Sequence, residues 1–202
     1  MVISASQDVS TEFNRQNASI LFAHVNHTVA TDVSSIHSAG YVPNTQIPVM
    51  VAAETFPGGT QGFIDFVKSK LTVLPEDSIR HDLGVDEIWR KFQAAFTPAD
   101  SMISYEPIVR TFYQKLFSRL AADHISWVEI RASGAGGMLV HEGDEVADPD
   151  PNIWWTVLLE ELQKFQNTTE GADFWGARVI WSDLRSLDTA SLTKSTWTLP
   201  SE

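Results

Sequence analysis

The order of segments along this 202-residue chain predicts an α/β fold. Three observations lead there. Strand-like runs over 19–26, 125–132 and 176–182 alternate with helical stretches, the order expected of parallel β/α units. The longest apolar periods, over 105–122 and from 150 onward, follow helical spacing. A composition of 43% hydrophobic and 20% charged residues is enough to bury one core.

Residues 1–18, rich in Ser, Asn and Gln, show no period and are expected as a disordered lead-in. In the first strand Ile20, Phe22, His24 and Asn26 share one face; Leu21, Ala23 and Val25 share the other. From 32 to 59 the chain is broken by Pro43, Pro48 and Pro57-Gly58-Gly59, which predicts irregular structure. A helix is expected over 60–70 with Thr60 as its N-cap, and another over 85–96 carrying Ile88, Trp89 and Phe92.

Over 105–122 the predicted stripe is Val109, Phe112, Leu116 and Leu120, with Pro107 tolerated in the first turn. The Gly-rich loop 133–150 holds four acidic residues between Glu142 and Asp148 and reads as solvated. Asp150-Pro151 then marks a helix start, and Trp154, Val157, Leu158, Leu162 and Phe165 its buried face. Phe63, Phe66, Phe112, Phe117 and Phe165 are expected in the core.

Polar residues on strands that helices should cover are the informative positions. Trp127, Glu129 and Arg131 share one face of the second strand. They read as a satisfied ion pair, as an edge strand, or as the lining of a barrel mouth. His24 and Asn26 share a face of the first strand. A catalytic zinc needs about three protein ligands, and Phe22 and Asn26 supply none of the usual ones.

The same segments carry a family resemblance. Glu87-Ile88-Trp89-Arg90-Lys91-Phe92, Tyr105-Glu106-Pro107 with Arg110, Trp127-Val128-Glu129-Ile130-Arg131, the run 56–70 and the run 176–186 together resemble the adenosine deaminase-related growth factor branch of the adenosine deaminases. The resemblance implies a metal-dependent hydrolase of the (β/α)₈ TIM-barrel type, here about its first three β/α units. Complete members hydrolyse adenosine to inosine and ammonia with a zinc-activated water. The metal motif of the family's first strand, His-x-His-x-Asp, falls on Phe22, His24 and Asn26, so His24 is the remnant of a Zn²⁺ site. Glu129 matches a ribose-contacting residue, and one of Trp154 and Trp155 matches a tryptophan near the purine.

No residue matches the family's later histidines or its acid/base glutamate, and no histidine follows Trp181. No catalytic residue is therefore assigned. The expectation is a partial barrel over 19–188 with a tail over 189–202, truncated and inactive by itself. The alternative is a non-catalytic acidic interaction module built on the same scaffold, self-associating through the open barrel edge. A bare metal-binding protein ranks third, because the six histidines are scattered.

Fourteen Lys and Arg against 26 Asp and Glu give a net charge of −12, which argues against a nucleic-acid partner. No apolar run approaches the ~18 residues of a membrane span. The absence of cysteine excludes disulfides and thiolate chemistry. Residues 1–12 show no signal pattern, so the default compartment is cytoplasmic, although the branch includes secreted proteins. The expected ligand, from the resemblance, is an adenosine-type nucleoside.

Overall fold

The computed structural model describes residues 1–25, 28–32, 34–79, 82, 84–132, 139–150 and 152–182. The chain divides into two compact units, Met1–Tyr105 with Gly143–Glu145, and Glu106–Glu142 with Val146–Glu202. The single barrel domain expected over 19–188 is thus described as two bodies, and the tail over 189–202 lies outside the described residues.

The first unit is built on a small antiparallel sheet. Strand β1 (Val2–Ala5) lies between β2 (Ile20–Ala23) and β3 (Ile47–Pro48), in register Val2↔Ala23 and Ile3↔Ile47. Helix α1 (Glu12–Asn17) joins β1 to β2, and its N-cap Thr11 hydroxyl accepts the Asn14 N–H. The expected disordered lead-in is therefore corrected: residues 1–18 hold β1 and α1. Val2, Ile3 and Ala5 are buried, and burying them beside β2 offsets the cost of ordering so short a segment.

The expected single parallel sheet is corrected as well. The first predicted strand pairs antiparallel with β1, while the second and third pair with each other. Its predicted alternation holds, with Ile20 and Phe22 buried and Leu21 exposed.

Helix α2 (Val49–Thr55) stands within the stretch expected to be irregular and buries Ala52 and Ala53. Pro48 fits as its N-cap because a missing N–H costs nothing at a helix start. Helix α3 (Gly59–Leu71) begins one residue before the predicted Thr60 cap. Gly58 takes that position at φ 82°, a left-handed conformation that a side chain would oppose. Gly62 then lets the first turn close on Pro57, since a Cβ there would sit 2.0 Å from the Pro57 carbonyl oxygen. Phe56, Phe63 and Phe66 join Ile3, Val9, Ile20, Phe22, Ile36 and Ile47 in one core. The Tyr41 hydroxyl ties the loop to this sheet, accepting the Ala5 N–H at 2.9 Å and donating to the Thr45 carbonyl at 2.8 Å.

The helix expected over 85–96 stands as α5 (Gly84–Ala94), preceded by the short α4 (Pro75–Ser78) and followed by α6 (Phe96–Ile103). Trp89 and Phe92 on α5 and Phe96 at the start of α6 are all exposed.

In the second unit α7 (Glu106–Ala122) packs on α8 (Ile153–Gln166), and β4 (Trp127–Ala132) pairs parallel with β5 (Gly176–Trp181), in register from Trp127↔Gly176 to Ala132↔Trp181. The order β4–α8–β5 is a parallel strand–helix–strand unit. The α7 stripe is displaced by one residue from the prediction: Val109, Tyr113 and Phe117 are buried while Phe112 is exposed, which removes Phe112 from the expected core. Both stripes have helical period, and only α8 and the Phe174 segment select between them. Phe117 meets Phe165 and Phe174 with ring centroids 5.9 and 5.6 Å away, and Tyr113 meets Trp154 edge-on at 5.7 Å. The α8 helix starts at Ile153 with Asn152 as N-cap; Pro151 lies outside the described residues. No helix among the described residues is long and apolar enough to cross a membrane.

Candidate functional site

His24 follows β2 in the first unit. Its ring stacks on Tyr105 with centroids 4.4 Å apart and planes 10° from parallel. Its Nε2 is buried and has no hydrogen-bond partner among the described residues. Two residues earlier Phe22 is buried, and its backbone N–H donates to the Ser101 hydroxyl at 3.0 Å. Asn26 and His27 lie outside the described residues. Phe22 has no lone pair to offer, so the described part of the motif contributes one imidazole. Among the described residues no three His, Asp or Glu side chains converge as a metal-holding group. These side chains do not fit a zinc ion, which needs about three protein ligands.

The remaining predicted residues belong to the second unit. Glu129 on β4 stands directly across from Arg178 on β5 and accepts a charge-assisted hydrogen bond from its guanidinium. Both side chains are exposed, so the pair contributes little to stability. Trp154 and Trp155 are half-buried in the first turn of α8, where Trp154 is held against Tyr113.

A dense polar arrangement joins Glu106 and Arg110, named above for the resemblance, to His141, Asp148, Glu160 and Glu161, which the sequence did not single out. The His141 imidazole lies between two carboxylates, with Nδ1 on Glu106 and Nε2 2.6 Å from Asp148. Both ring nitrogens donate only when the ring is the imidazolium. The bonds to Asp148 and Glu106 accordingly raise the His141 pKa above its ordinary value. Glu106 also accepts from Arg110 Nε at 2.7 Å. Arg110 continues to Glu160 and Glu161, each at 2.8 Å.

Glu161 is fully buried, yet it is complete in its bonding: Gln114 donates at 2.8 Å and Lys164 at 2.7 Å beside Arg110. Burial pushes its carboxyl up, but the bonds from Lys164, Gln114 and Arg110 outweigh that and hold it below the ordinary value. Glu106 follows the same balance, with burial opposed by His141 and Arg110. Every charge in this network has a partner that satisfies it, so it holds His141 and Asp148 to α7 and α7 to α8. The Glu106 N–H bond to the Val140 carbonyl at 2.9 Å adds a backbone tie to α7, and the Asp148 N–H bond to the Leu139 carbonyl at 2.8 Å joins the two ends of the loop.

The spacing Glu106–Arg110 was a visible i,i+4 signal, whereas Glu161 sits on an apolar stripe and His141 among scattered histidines.

No family model matches the chain. It is similar to the curated adenosine deaminase of Lutzomyia longipalpis, 24% identical over 143 residues, which is 71% of this chain and 27% of that protein. It is also similar to adenosine deaminase 2-A of Danio rerio (26% over 125 residues, 62% of this chain and 24% of that protein) and to adenosine deaminase 2 of Homo sapiens (28% over 109 residues, 54% and 20%). The chain spans about a quarter of the length of the curated relatives it matches. The resemblance read from the motifs is therefore to proteins curated as adenosine deaminases, the growth-factor branch included.

Proposed function

We propose that this chain is a segment of an adenosine deaminase of the growth-factor branch, a partial (β/α)₈ barrel that does not by itself convert adenosine to inosine. The substrate class comes from the names of its relatives. The parallel β4–α8–β5 unit, with α7 before it, supports the barrel reading.

The observation that carries the reading of activity is position 22. The family's zinc-activated water requires an imidazole there, and Phe22 is instead part of the apolar core of its unit. With Phe22 in place of an imidazole, His24 is the one metal-type ligand among the described residues of the motif, and a water that is not activated by metal or base is a poor nucleophile at neutral pH. Glu129, Trp154 and Trp155 persist as nucleoside-contacting positions by resemblance. The Glu129 carboxylate pairs with Arg178.

The test is an inosine assay on purified chain with and without added Zn²⁺. No product above a heat-killed control is expected, nor from Phe22→His; steady inosine production by the unaltered chain would refute the reading.

A second reading, a non-catalytic acidic module that self-associates, is favoured by the outward aromatic side of α5 and α6, where Val85 is 80% and Trp89 57% exposed. Light scattering on the eluting chain separates the two readings. A dimer converted to monomer by Trp89→Glu favours the module; a monomer at all concentrations excludes self-association.

A further inference from the structure

In the first unit a cavity of about 230 Å³ is bordered by α1, α3, α4 and α5. It lies below the ~300–1,000 Å³ of sites for drug-sized ligands, so a small ion fits it better than a nucleoside. Its charged lining is Glu12, Arg15, Lys70, Asp77, Arg90 and Lys91. In a chain of net charge −12, four cations facing two carboxylates is a local reversal of sign.

The pairings sharpen this. Arg15 is 3.9 Å from Glu12, Arg90 makes a two-pronged contact with Glu87 at 2.6 and 2.8 Å, and Lys91 pairs with Asp77. Each carboxylate nearby is therefore committed to another cation. The Lys70 ammonium donates to the Gln16 carbonyl at 2.9 Å and lies 5.7 Å from the Phe66 ring centre, and among the described residues no carboxylate is within ion-pair distance of it. Burial, then the Arg90 and Lys91 charges, push its pKa down to about 8, while Glu12 opposes them weakly. A partly buried ammonium crowded by like charges is stabilised by an anion that joins it.

We infer that this cavity is a binding site for a small oxyanion, phosphate or carboxylate, with Lys70 as its central ligand and Arg15 and Arg90 at its rim. The inference does not depend on the deaminase reading, since none of these residues belongs to the metal or nucleoside positions.

The experiment is an NMR titration of the intact chain with inorganic phosphate, and separately with acetate, at constant ionic strength. The Lys70 side-chain resonance is followed across pH 6–10. Saturation is expected, with the Lys70 midpoint moving upward from about 8 as anion is added. Saturation by phosphate and not acetate identifies a phosphate site, and the reverse a carboxylate site. Lys70→Met should weaken binding at least fivefold, whereas Lys68→Met on the exposed side of α3 should leave it unchanged. A Lys70 midpoint that does not move at 50 mM of either anion, or equal weakening by both variants, overturns the assignment.

Discussion

Replacing Arg110 by Met tests whether the buried carboxylate organises the second unit. Arg110 has three acidic partners, Glu106, Glu160 and Glu161, and is 25% exposed. Glu160 is 46% exposed, so its pair contributes at most about 1 kcal/mol. Glu161 is 0% exposed, and removing one partner of a fully buried pair costs about 3–5 kcal/mol. Gln114 and Lys164 remain on Glu161, and Arg110 is only partly buried, so a net loss of about 2–3 kcal/mol is expected.

The measurement is hydrogen exchange of α7 and α8 amides together with urea unfolding, compared between the two proteins. The sign of the pH dependence is a further check. Glu161 is held below its ordinary value in the native chain, so its contribution is present above about pH 4.5 and fades as pH falls through the lower folded value. In the variant the carboxyl loses one of the three hydrogen bonds that lower it, so its folded value moves up toward the ordinary one and the deficit should shrink on acidification. Arg110→Met combined with Glu161→Met should recover about half of the loss. A single variant losing less than about 0.5 kcal/mol, or a double variant no better than the single, refutes the reasoning: the cost would then lie in the packing of the Arg110 stem.

Other expectations follow from the same packing. His141 is raised by Asp148 and Glu106, so its contribution is complete below about pH 6.5 and lost as pH rises through the higher folded value; the melting-temperature gap between the native chain and His141→Gln should close on that rise, and a gap constant from pH 5.5 to 9 would contradict the pairing. Gly62→Ala should cost at least about 2 kcal/mol by urea unfolding, because the added Cβ meets the Pro57 carbonyl oxygen at 2.0 Å. Phe117→Ala should cost about 3–5 kcal/mol and Phe112→Ala about 1 or less, the contrast that the observed stripe demands and the predicted one inverts.

The alternation in β2, the parallel pairing of β4 with β5 and the existence of α3, α7 and α8 were legible in the sequence, because apolar periodicity is a local property of the chain. So was the resemblance to adenosine deaminases, carried by short runs such as Trp127–Arg131. Tertiary contacts decided the rest. Val2–Ala5 becomes a strand only because β2 and β3 offer edges on either side of it, and four residues carry too little periodicity to announce that. The choice of Tyr113 and Phe117 over Phe112 depends on where Phe165 and Phe174 arrive, some fifty residues later. Glu161 looked like a polar interruption of an apolar stripe. Lys164 on its own helix pairs with it, and Arg110 and Gln114 on α7 complete its bonding across 51 and 47 residues of sequence. Local pattern determines which segments order; the partners that make a buried charge or an edge strand tolerable are non-local, and only the folded chain brings them together.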